Sequence, residues 1–414
     1  MSGRICIIGG GASGLIAAIS AKRAAPETEV FILERLPRAG KKILATGNGR
    51  CNFTNTEISL ENYHGSDVGF AAHALNTFSS GYTIEFFKSL GVYPRFEDGG
   101  RVYPYSEQAS SVLDALRFET EHLCVQIYAE REFSGVLKSG ADFTVFTTGG
   151  SSFSSTAVIF AAGGRASPSL GSNGSGYAGL LTFGHKLIDP APALVQLCTD
   201  SVEIRALQGI RAQVAATAML RDKPIRTENG ELLFTNFGFS GIAIFQLSAL
   251  YAENAYDTVS FDLCPEIPPN ELCKIFAERR NALSHLTMEN FFSGLLNKRI
   301  GNLVCRRAGI EKLSLSVSQL CEKQITTLVA HTKALVFPVS GTNGWETAQV
   351  TSGGISTTDF DTKTMQSRLV PGLFACGEIL DIFGDCGGFN LQWAWSSGFL
   401  AGKSAAERIV EMRL

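Results

Sequence analysis

The sequence predicts an α/β fold: a Rossmann-like domain that is split in sequence by an inserted antiparallel β domain with a helical sub-insert. Three observations predict it. Residues 4–34 have the pattern strand, glycine turn, helix, strand. Two further short apolar strands, at 156–164 and 372–378, also run into glycine. Between them the pattern changes to alternating β-type spacing and then to helical spacing, which is typical of an inserted domain.

The N-terminal unit joins its opening apolar strand to a helix through the turn Gly9–Gly14. In such a turn Gly9 permits the tight bend, Gly11 lets the backbone approach a pyrophosphate, and Gly14 lets the helix pack on the strand. The helix N-terminus offers unpaired N–H groups and a partial positive charge to phosphates. The second strand ends on Glu34, where a carboxylate can accept ribose hydroxyls. The unit therefore predicts a Rossmann-like dinucleotide site.

The same turn can hold NAD or FAD, and a late motif favours FAD. A short apolar strand ends at Gly377-Glu378, and a helix is expected from about Leu391, after the double glycine that ends at Gly388. Glu378 is placed to accept ribityl or phosphate-side hydroxyls. The helix N-terminus would stabilise the negative charge that reduction places on the flavin pyrimidine edge. With the mid-chain strand that runs into Ala162-Gly163, the combination resembles flavoproteins of the glutathione-reductase type.

No other GxGxxG turn follows an apolar strand. The stretch Gly171–Gly176 has its glycines in the wrong order and follows Ser-Pro, so it is interpreted as a loop near the cofactor. If NADH or NADPH reduces this protein, it must dock transiently, without a domain of its own.

Two long motifs carry a closer resemblance. Residues 41–55 read KKILATGNGRCNFTN, and residues 387–398 read GGFNLQWAWSSG. They resemble the bacterial flavoprotein family labelled aminoacetone-oxidase-family or YhiN-like FAD-dependent oxidoreductases, and other segments agree in order along nearly the whole chain. The resemblance implies a Rossmann-like FAD-binding domain, split in sequence, with an inserted antiparallel β domain and a helical sub-insert. Members have been labelled as oxidases of small amino ketones or as reductases of conjugated ketones on steroid-like rings.

The expected FAD contacts follow from the motifs and the resemblance together. The glycine turn would hold the pyrophosphate, Glu34 and Arg35 the adenosine ribose, and the late motif the ribityl chain and the isoalloxazine ring. Relatives offer backbone to the adenine at the position of Phe133. The full set of predicted cofactor-binding residues is Gly9, Gly11, Ala12, Ser13, Gly14, Glu34, Arg35, Lys41, Lys42, Arg50, Cys51, Phe133, Ala162, Gly163, Gly377, Glu378, Gly388, Asn390 and Leu391.

The loop around Arg50 and Cys51 has two interpretations. Arg50 would hold the pyrophosphate or a substrate carboxylate, and its charge would lower the pKa of Cys51, as a nucleophile or a redox partner of the flavin requires. The resemblance implies instead a loop that folds over the cofactor, with Cys51 in a packing role, and we favour this second interpretation. A redox disulfide between Cys51 and Cys386 is less favoured, because the two cysteines lack CxxC spacing.

No catalytic residue is assigned. The six histidines show no metal-binding spacing, so no metal is expected. His185 is interpreted as a structural histidine. Trp393 and Trp395 lie two apart on the last helix, which predicts that at least one belongs to the core.

Composition limits the partners. The chain has 36 basic and 39 acidic residues and a net charge of −3, which does not predict binding to nucleic acid or to an anionic membrane. The first strand begins almost at once, leaving no room for a signal peptide, and the cysteines are scattered singly. We therefore expect a cytoplasmic protein with a small-molecule substrate. The oligomeric state is left open.

The domain boundaries are predicted from Pro-rich breaks and changes of pattern. Residues 331–339 are expected to return as a strand, and the inserted parts together to form a lid over the flavin. The predicted ranges are 1–190 and 342–414 for the FAD-binding domain, 191–264 and 325–341 for a β-barrel-like inserted domain, and 265–324 for a helical insert.

Three functions fit these observations. The leading hypothesis is a reductase that takes electrons from NAD(P)H and acts on a small unsaturated or carbonyl compound. An oxygen-dependent oxidase of a small amine or amino ketone is the closest rival. The third is a non-enzymatic FAD-binding redox sensor.

Overall fold

The computed structural model describes residues 3–251 and 256–412. The chain divides into two compact units. The first joins Met1–Pro192 to Ala348–Leu414, and the second is Ala193–Thr347. The α/β unit is therefore discontinuous in sequence, as predicted.

The centre of the first unit is a five-stranded parallel sheet. Its middle strand is the opening strand of the chain, whose Ile8 pairs with Leu33 on one side and with Phe160 on the other. The inner strands are buried on both faces, which explains why they read as continuous apolar runs rather than as alternation. In spatial order the strands are Leu373–Ala375, Ala157–Phe160, Arg4–Ile8, Glu29–Leu33 and Gln126–Tyr128.

Two helices of this unit, the first helix (Ala12–Ala24) and the last helix (Phe389–Glu411), pack closely against each other. A side chain at Gly398 or Gly402 of the last helix would overlap backbone atoms of the first helix. Small residues thus let the two backbones approach. The other helices of the unit are Lys41–Ala45, Ala71–Thr77, Ser80–Ser89, Ala109–His122 and Ser175–Leu181.

Smaller sheets complete the unit. A three-stranded antiparallel sheet contains Phe133–Ser139, Asp142–Thr147 and Ser152–Ser155. Another contains Thr54–Asn55, Pro94–Phe96 and Arg101–Pro104. Two-stranded pairs join Leu187–Ala193 to Val350–Ile355 and Tyr63–His64 to Phe383–Gly384.

The second unit is built on a seven-stranded antiparallel sheet. Phe234, Phe239, Phe261 and Phe337 pack together in its core with ring centroids 5.0 to 6.5 Å apart. In spatial order the strands are Leu335–Pro338, Thr258–Asp262, Arg211–Leu220, Lys223–Phe234, Gly238–Ser240, Leu197–Cys198 and Gly341–Thr342. Its helices are Ile242–Tyr251, Pro269–Ala282, Lys298–Arg307 and Glu322–Lys333.

Two sequence-based expectations for the second unit were wrong. The apolar run Ile242–Tyr251 lies within the segment expected to be β structure but forms a helix. Short apolar runs do not distinguish a buried strand from a buried helix. The strand expected at 331–339 is shorter, Leu335–Pro338, because the preceding helix extends to Lys333. The Lys333 ammonium stabilises that helix end by binding the Cys264 and Ile267 carbonyls.

The return to the first unit also differs from the predicted position 342. Gly341–Thr342 pairs with Leu197–Cys198 and so belongs to the sheet of the second unit, and the first unit resumes at Ala348. Near the end of the first unit, the last helix begins at Phe389 rather than near Leu391, directly after Gly388. Across the described ranges, no helix is long and apolar enough to cross a membrane.

Candidate functional site

The glycines of the N-terminal turn have different surroundings. Gly9 has a φ of +105°, and a side chain there would meet the Ala161 carbonyl. A side chain at Gly14 would overlap the Gly9 carbonyl oxygen. Gly11 has an ordinary φ of −81°, and a Cβ there would have no protein atom within 4 Å. The fold itself requires Gly9 and Gly14, whereas the space beside Gly11 is open to a ligand.

The first helix presents its N-terminus beside this open space. Gly11 is the N-cap residue, no side chain caps the helix, and its first turn contains no acidic residue. The first-turn N–H groups, those of Ala12 and Ser13 among them, have no acceptor within the helix, because the ladder begins one turn later. This end of the helix therefore offers donors and a partial positive charge to an anion.

Glu34 lies at the end of the second strand, where the sequence placed it. Its carboxylate accepts hydrogen bonds from the N–H groups of Gly10, at 2.9 Å, and Leu36, at 2.7 Å. The side chain is buried, and burial raises the pKa of Glu34 against the opposing effect of the two N–H donors. The two donors fix the orientation of the carboxylate. Its contact with a ribose stays a prediction.

Two predicted cofactor-binding cations converge on one loop. Arg35 Nη1 donates to the carbonyls of Pro168 and Gly171, both at 3.3 Å, and Lys41 Nζ donates to the Ser169 carbonyl at 3.1 Å. The loop that the sequence analysis placed near the cofactor is thus attached to the segment that follows Glu34.

The carboxyl ends of the inner strands meet beside the first helix. Gly163 has a φ of +71° and Gly377 one of +75°. A side chain at Gly377 would meet the Ser13 hydroxyl of the first helix. The structure thus brings together the glycine turn, the Ala162-Gly163 segment and the late motif, as the motifs required.

Glu378 is held by a residue that the sequence analysis did not single out. Its Oε1 atom accepts from the N–H of Thr351, at 2.9 Å, and from its hydroxyl, at 2.8 Å. Lys42 Nζ lies 2.9 Å from its Oε2 atom. The Thr351 Oγ1 atom in turn accepts from the N–H of Arg165. The pair Lys42–Glu378 therefore links two predicted cofactor-binding segments that are distant in sequence. The role of Thr351 in holding Glu378 depends on long-range contacts, so no local sequence pattern indicates it.

The N-terminus of the last helix is supported by its own side chains. Gly388 is the N-cap residue with a φ of +100°, and the first turn carries no acidic residue. Asn390 Oδ1 accepts from the N–H of Gly384 at 2.8 Å, and its Nδ2 donates to the Gly384 and Asp385 carbonyls. The Asn390 amide thus shapes the loop before the helix, while Leu391 packs at the edge of the core.

The next residues of the last helix are fixed in the core. The Gln392 carboxamide accepts from the hydroxyls of Thr54 and Thr83 and donates to the Phe78 carbonyl. Trp393 and Trp395 are both buried, and their indole N–H groups donate to the carbonyls of Gly377 and Phe53 respectively. The sequence predicted that at least one of the two tryptophans belongs to the core, and in the structure both do.

The loop around Arg50 and Cys51 contradicts the hypothesis of a reactive thiolate. Arg50 lies 2.8 Å from the Glu97 carboxylate, and its guanidinium carbon is 4.1 Å from the Tyr103 ring centroid. Cys51 is fully buried, and this burial raises its pKa to about 12. The low pKa that a nucleophile requires is therefore absent at this thiol, and the packing role is the one that the structure favours.

Two other predicted residues lie in packed surroundings. The Phe133 ring is buried, with its centroid 5.4 Å from that of Phe160, so its side chain serves the core and the proposed backbone contact with adenine stays a prediction. His185 stacks on Phe360 at 4.5 Å, and its Nε2 atom lies 2.9 Å from the Ser367 hydroxyl. Burial lowers the pKa of His185, as expected of a structural histidine.

Sequence reasoning missed one possible acid–base pair. His64 Nε2 lies 2.8 Å from Asp385 Oδ1, although the two residues are 321 positions apart. His64 has no local motif that would have found it. Across residues 3–251 and 256–412, no cluster of three His, Cys, Asp or Glu side chains is arranged as a metal site.

The arrangement fits FAD. The open space beside Gly11, with uncapped helix donors next to it, suits a pyrophosphate. A second uncapped N-terminus, at the last helix, suits the edge of a flavin that gains negative charge on reduction. Glu34 and Glu378 supply oriented acceptors, as the adenosine ribose and the ribityl chain would require.

Comparisons with known proteins agree with this assignment. A family model described as HI0933-like protein Rossmann domain matches residues 3–404. The chain is 40% identical over 409 residues to the 3-dehydro-bile acid delta(4,6)-reductase of Clostridium scindens, which covers 98% of this chain and 99% of the relative. It is 31% identical over 400 residues to the ribosomal RNA dihydrouridine synthase of Escherichia coli, with 95% of each chain covered.

Solved structures show the same fold at low sequence identity. The quinol fumarate reductase FrdA of Escherichia coli superimposes with a TM-score of 0.52 at 18% identity, covering 100% of this chain and 71% of that chain. The chain therefore belongs to the HI0933-like Rossmann family, as its two long motifs predicted, and it is an FAD-dependent oxidoreductase.

Proposed function

We propose that this enzyme takes electrons from NADH or NADPH and reduces a small organic compound whose C=C double bond is conjugated to a carbonyl group. The observation that carries the proposal is the 40% identity, along 98% of the chain, to a reductase of a 3-dehydro-bile acid.

Bound FAD supplies the atom through which a hydride passes between donor and substrate. The part of this chain is placement and electrostatics. The first helix would hold the pyrophosphate with its N–H groups near Ala12, Glu34 would orient the adenosine ribose, and the last helix would favour the reduced ring through its N-terminus at Gly388. The pair Lys42–Glu378 would position the ribityl chain.

The sequence bears on how a nicotinamide would bind. No other GxGxxG turn follows an apolar strand, so NADH or NADPH would dock transiently, without a domain of its own.

The dihydrouridine synthase relatives suggest a different substrate, ribosomal RNA. Formation of dihydrouridine also adds hydrogen across a double bond conjugated to a carbonyl, so the chemistry is shared. We favour a small molecule because the 36 basic residues are outnumbered by 39 acidic residues, whereas RNA binding relies on a basic surface.

The test is an anaerobic titration of the purified yellow protein with NADH and with NADPH, followed through the visible flavin band. The bleached protein is then mixed anaerobically with a steroid enone, with cyclohexenone, or with unmodified ribosomal RNA. We expect bleaching by one or both nicotinamides and recovery of the yellow colour with an enone.

Other results would assign the protein elsewhere. Recovery with RNA alone would replace the small-molecule substrate. A flavin that no nicotinamide reduces, but that small amines bleach with release of peroxide in air, would indicate the oxidase. Tight FAD binding without turnover of any donor would indicate the redox sensor.

A further inference from the structure

His64 and Asp385 form a pair beside the late motif that the predicted contacts do not use. The ring Nε2 atom lies 2.8 Å from the carboxylate, and the two side chains are 14% and 9% exposed. The hydrogen bond that orients the His64 ring is made through Nε2, on the side of Asp385. One ring nitrogen is thus held by a carboxylate, and Nδ1 is the nitrogen that would serve a ligand.

Backbone contacts hold both members in place. The strand Tyr63–His64 pairs with Phe383–Gly384, so His64 lies opposite Phe383 and its ring packs on that phenyl ring at 5.1 Å. The N–H of Asp385 donates to the Asn62 carbonyl at 2.9 Å, and its own carbonyl accepts from Asn390 Nδ2. The pair is therefore built on paired strands rather than on an unsupported loop.

The position of the pair links it to the flavin. Asp385 precedes the glycines Gly387 and Gly388 by two or three residues, and these glycines open the last helix. That helix N-terminus is where the flavin ring is expected. Asp385 lies on the loop that leads into this N-terminus, and the imidazole that it holds is therefore at the entry to the expected flavin site.

A structural role does not account well for the pair. The adjoining Tyr63 already secures this strand, because its hydroxyl donates to the Phe389 carbonyl at 3.1 Å. His185, the buried structural histidine, is held by a serine hydroxyl and a phenyl ring. A carboxylate partner instead fixes the orientation of an imidazole, which a packing role does not require.

We propose that His64, oriented by Asp385, is the proton donor of the substrate half-reaction, an inference that rests on the proposed function. Bound FAD, once reduced, would supply the hydride that adds to the β-carbon of the conjugated carbonyl compound. The electron pair of the C=C bond moves to the α-carbon, where the imidazolium proton forms the new C–H bond. His64 is left neutral and regains a proton from solvent before the next turnover.

The test separates the two half-reactions by anaerobic stopped-flow spectroscopy. In His64→Gln the flavin should be reduced by nicotinamide at the wild-type rate, whereas its reoxidation by a steroid enone should slow about 100-fold or more, the usual contribution of a general acid. His73→Gln, at an exposed histidine of the helix Ala71–Thr77, is the matched control and should leave both rates unchanged. An unchanged reoxidation rate in His64→Gln overturns the proposal.

Asp385 is a positioning residue in this scheme. Asp385→Asn should slow reoxidation while leaving reduction unchanged, and Asp385→Glu should restore most of the lost rate because it returns a carboxylate. Equal losses in both variants would indicate a structural role of the loop and would contradict the assignment.

A second readout does not depend on turnover. In holoenzyme with isotope-labelled histidine, the His64 imidazole resonances should shift when dithionite reduces the flavin, because negative charge develops nearby. The signal is assigned by its loss in His64→Gln or, if that variant does not fold, by single substitutions of the other five histidines. His64 imidazole resonances that do not shift when the flavin is reduced would overturn the proposal. If the wild type reduces no enone, the proposed function is wrong. This measurement would still show whether His64 and Asp385 lie close to the flavin.

Discussion

Two glycine turns lead into the two helices that would face the flavin, and they differ in what surrounds them. Beside Gly11, before the first helix, a side chain would find open space. Beside Gly388, before the last helix, it would meet the Thr54 carbonyl, and Asn390 closes the loop with three hydrogen bonds. The first turn leaves room for a ligand, whereas at the second turn protein atoms already fill the space beside the glycine.

The difference teaches that one sequence signal has two physical meanings. A glycine can be required because a neighbouring backbone occupies its side-chain space, or because a ligand will. The two helices are also coupled, since Gly398 and Gly402 of the last helix pack on the backbone of the first helix. The position of the first helix therefore depends on its packing against the last helix.

Removing that coupling should have the largest effect. Gly402→Val places a branched side chain against the Ala17 carbonyl and the Ser20 hydroxyl of the first helix, which should lower the free energy of unfolding by about 3 kcal/mol or more. We expect a protein that is largely insoluble or that unfolds well below the wild-type temperature in a thermal melt. The exposed neighbour Lys403 supplies the control, and Lys403→Val should keep the wild-type melting temperature within a few degrees.

The open turn should lose its ligand and keep its fold. Gly11→Val fills the space beside the first helix, so the purified protein should carry less than about a tenth of the wild-type FAD, while the apo form loses about 1 kcal/mol or less of stability. The control is Gly149→Val, at another glycine with open space around it, which should purify with full FAD content. Wild-type FAD content in Gly11→Val would contradict the assignment of this turn to the pyrophosphate.

The packed turn should show the opposite result. Gln392→Leu leaves the buried hydroxyls of Thr54 and Thr83 without their acceptor, which should lower the free energy of unfolding by about 2–4 kcal/mol. The folded fraction should still bind FAD. Adding Thr83→Val should recover about 1 kcal/mol, because it removes one stranded hydroxyl. Chemical denaturation measures both changes, and a loss of FAD from fully folded Gln392→Leu would contradict the distinction between the turns.

The smallest effect is expected at Cys51. Because burial raises the pKa of Cys51 to about 12, the thiol is neutral in neutral solution and is not a nucleophile there. Cys51→Ser should retain FAD and lower turnover less than about tenfold, since a packing role is being replaced. Alkylation of the native protein should label the exposed Cys124 and Cys321 and spare Cys51, as mass spectrometry would report. Rapid labelling of Cys51 would restore the thiolate hypothesis.

The local sequence pattern predicted the strands of the parallel sheet and the glycine turn well, because both depend mainly on the types of neighbouring residues. Arg4–Ile8 and Glu29–Leu33 were recognisable as strands for that reason. The sequence analysis predicted β structure for the helix Ile242–Tyr251 and for the end of the helix Glu322–Lys333. Short apolar or β-branched runs are compatible with a strand or a helix, and only tertiary packing decides between them.

The sequence by itself determined the fold class, the split of the α/β unit and the family, since periodicity and contiguous motifs carry that information. Only the tertiary structure decided which glycine faces open space, that Thr351 holds Glu378, and that His64 meets Asp385 across 321 positions. These depend on contacts between distant segments, whose geometry no local spacing records. The chemistry proposed for this protein lies in that second group.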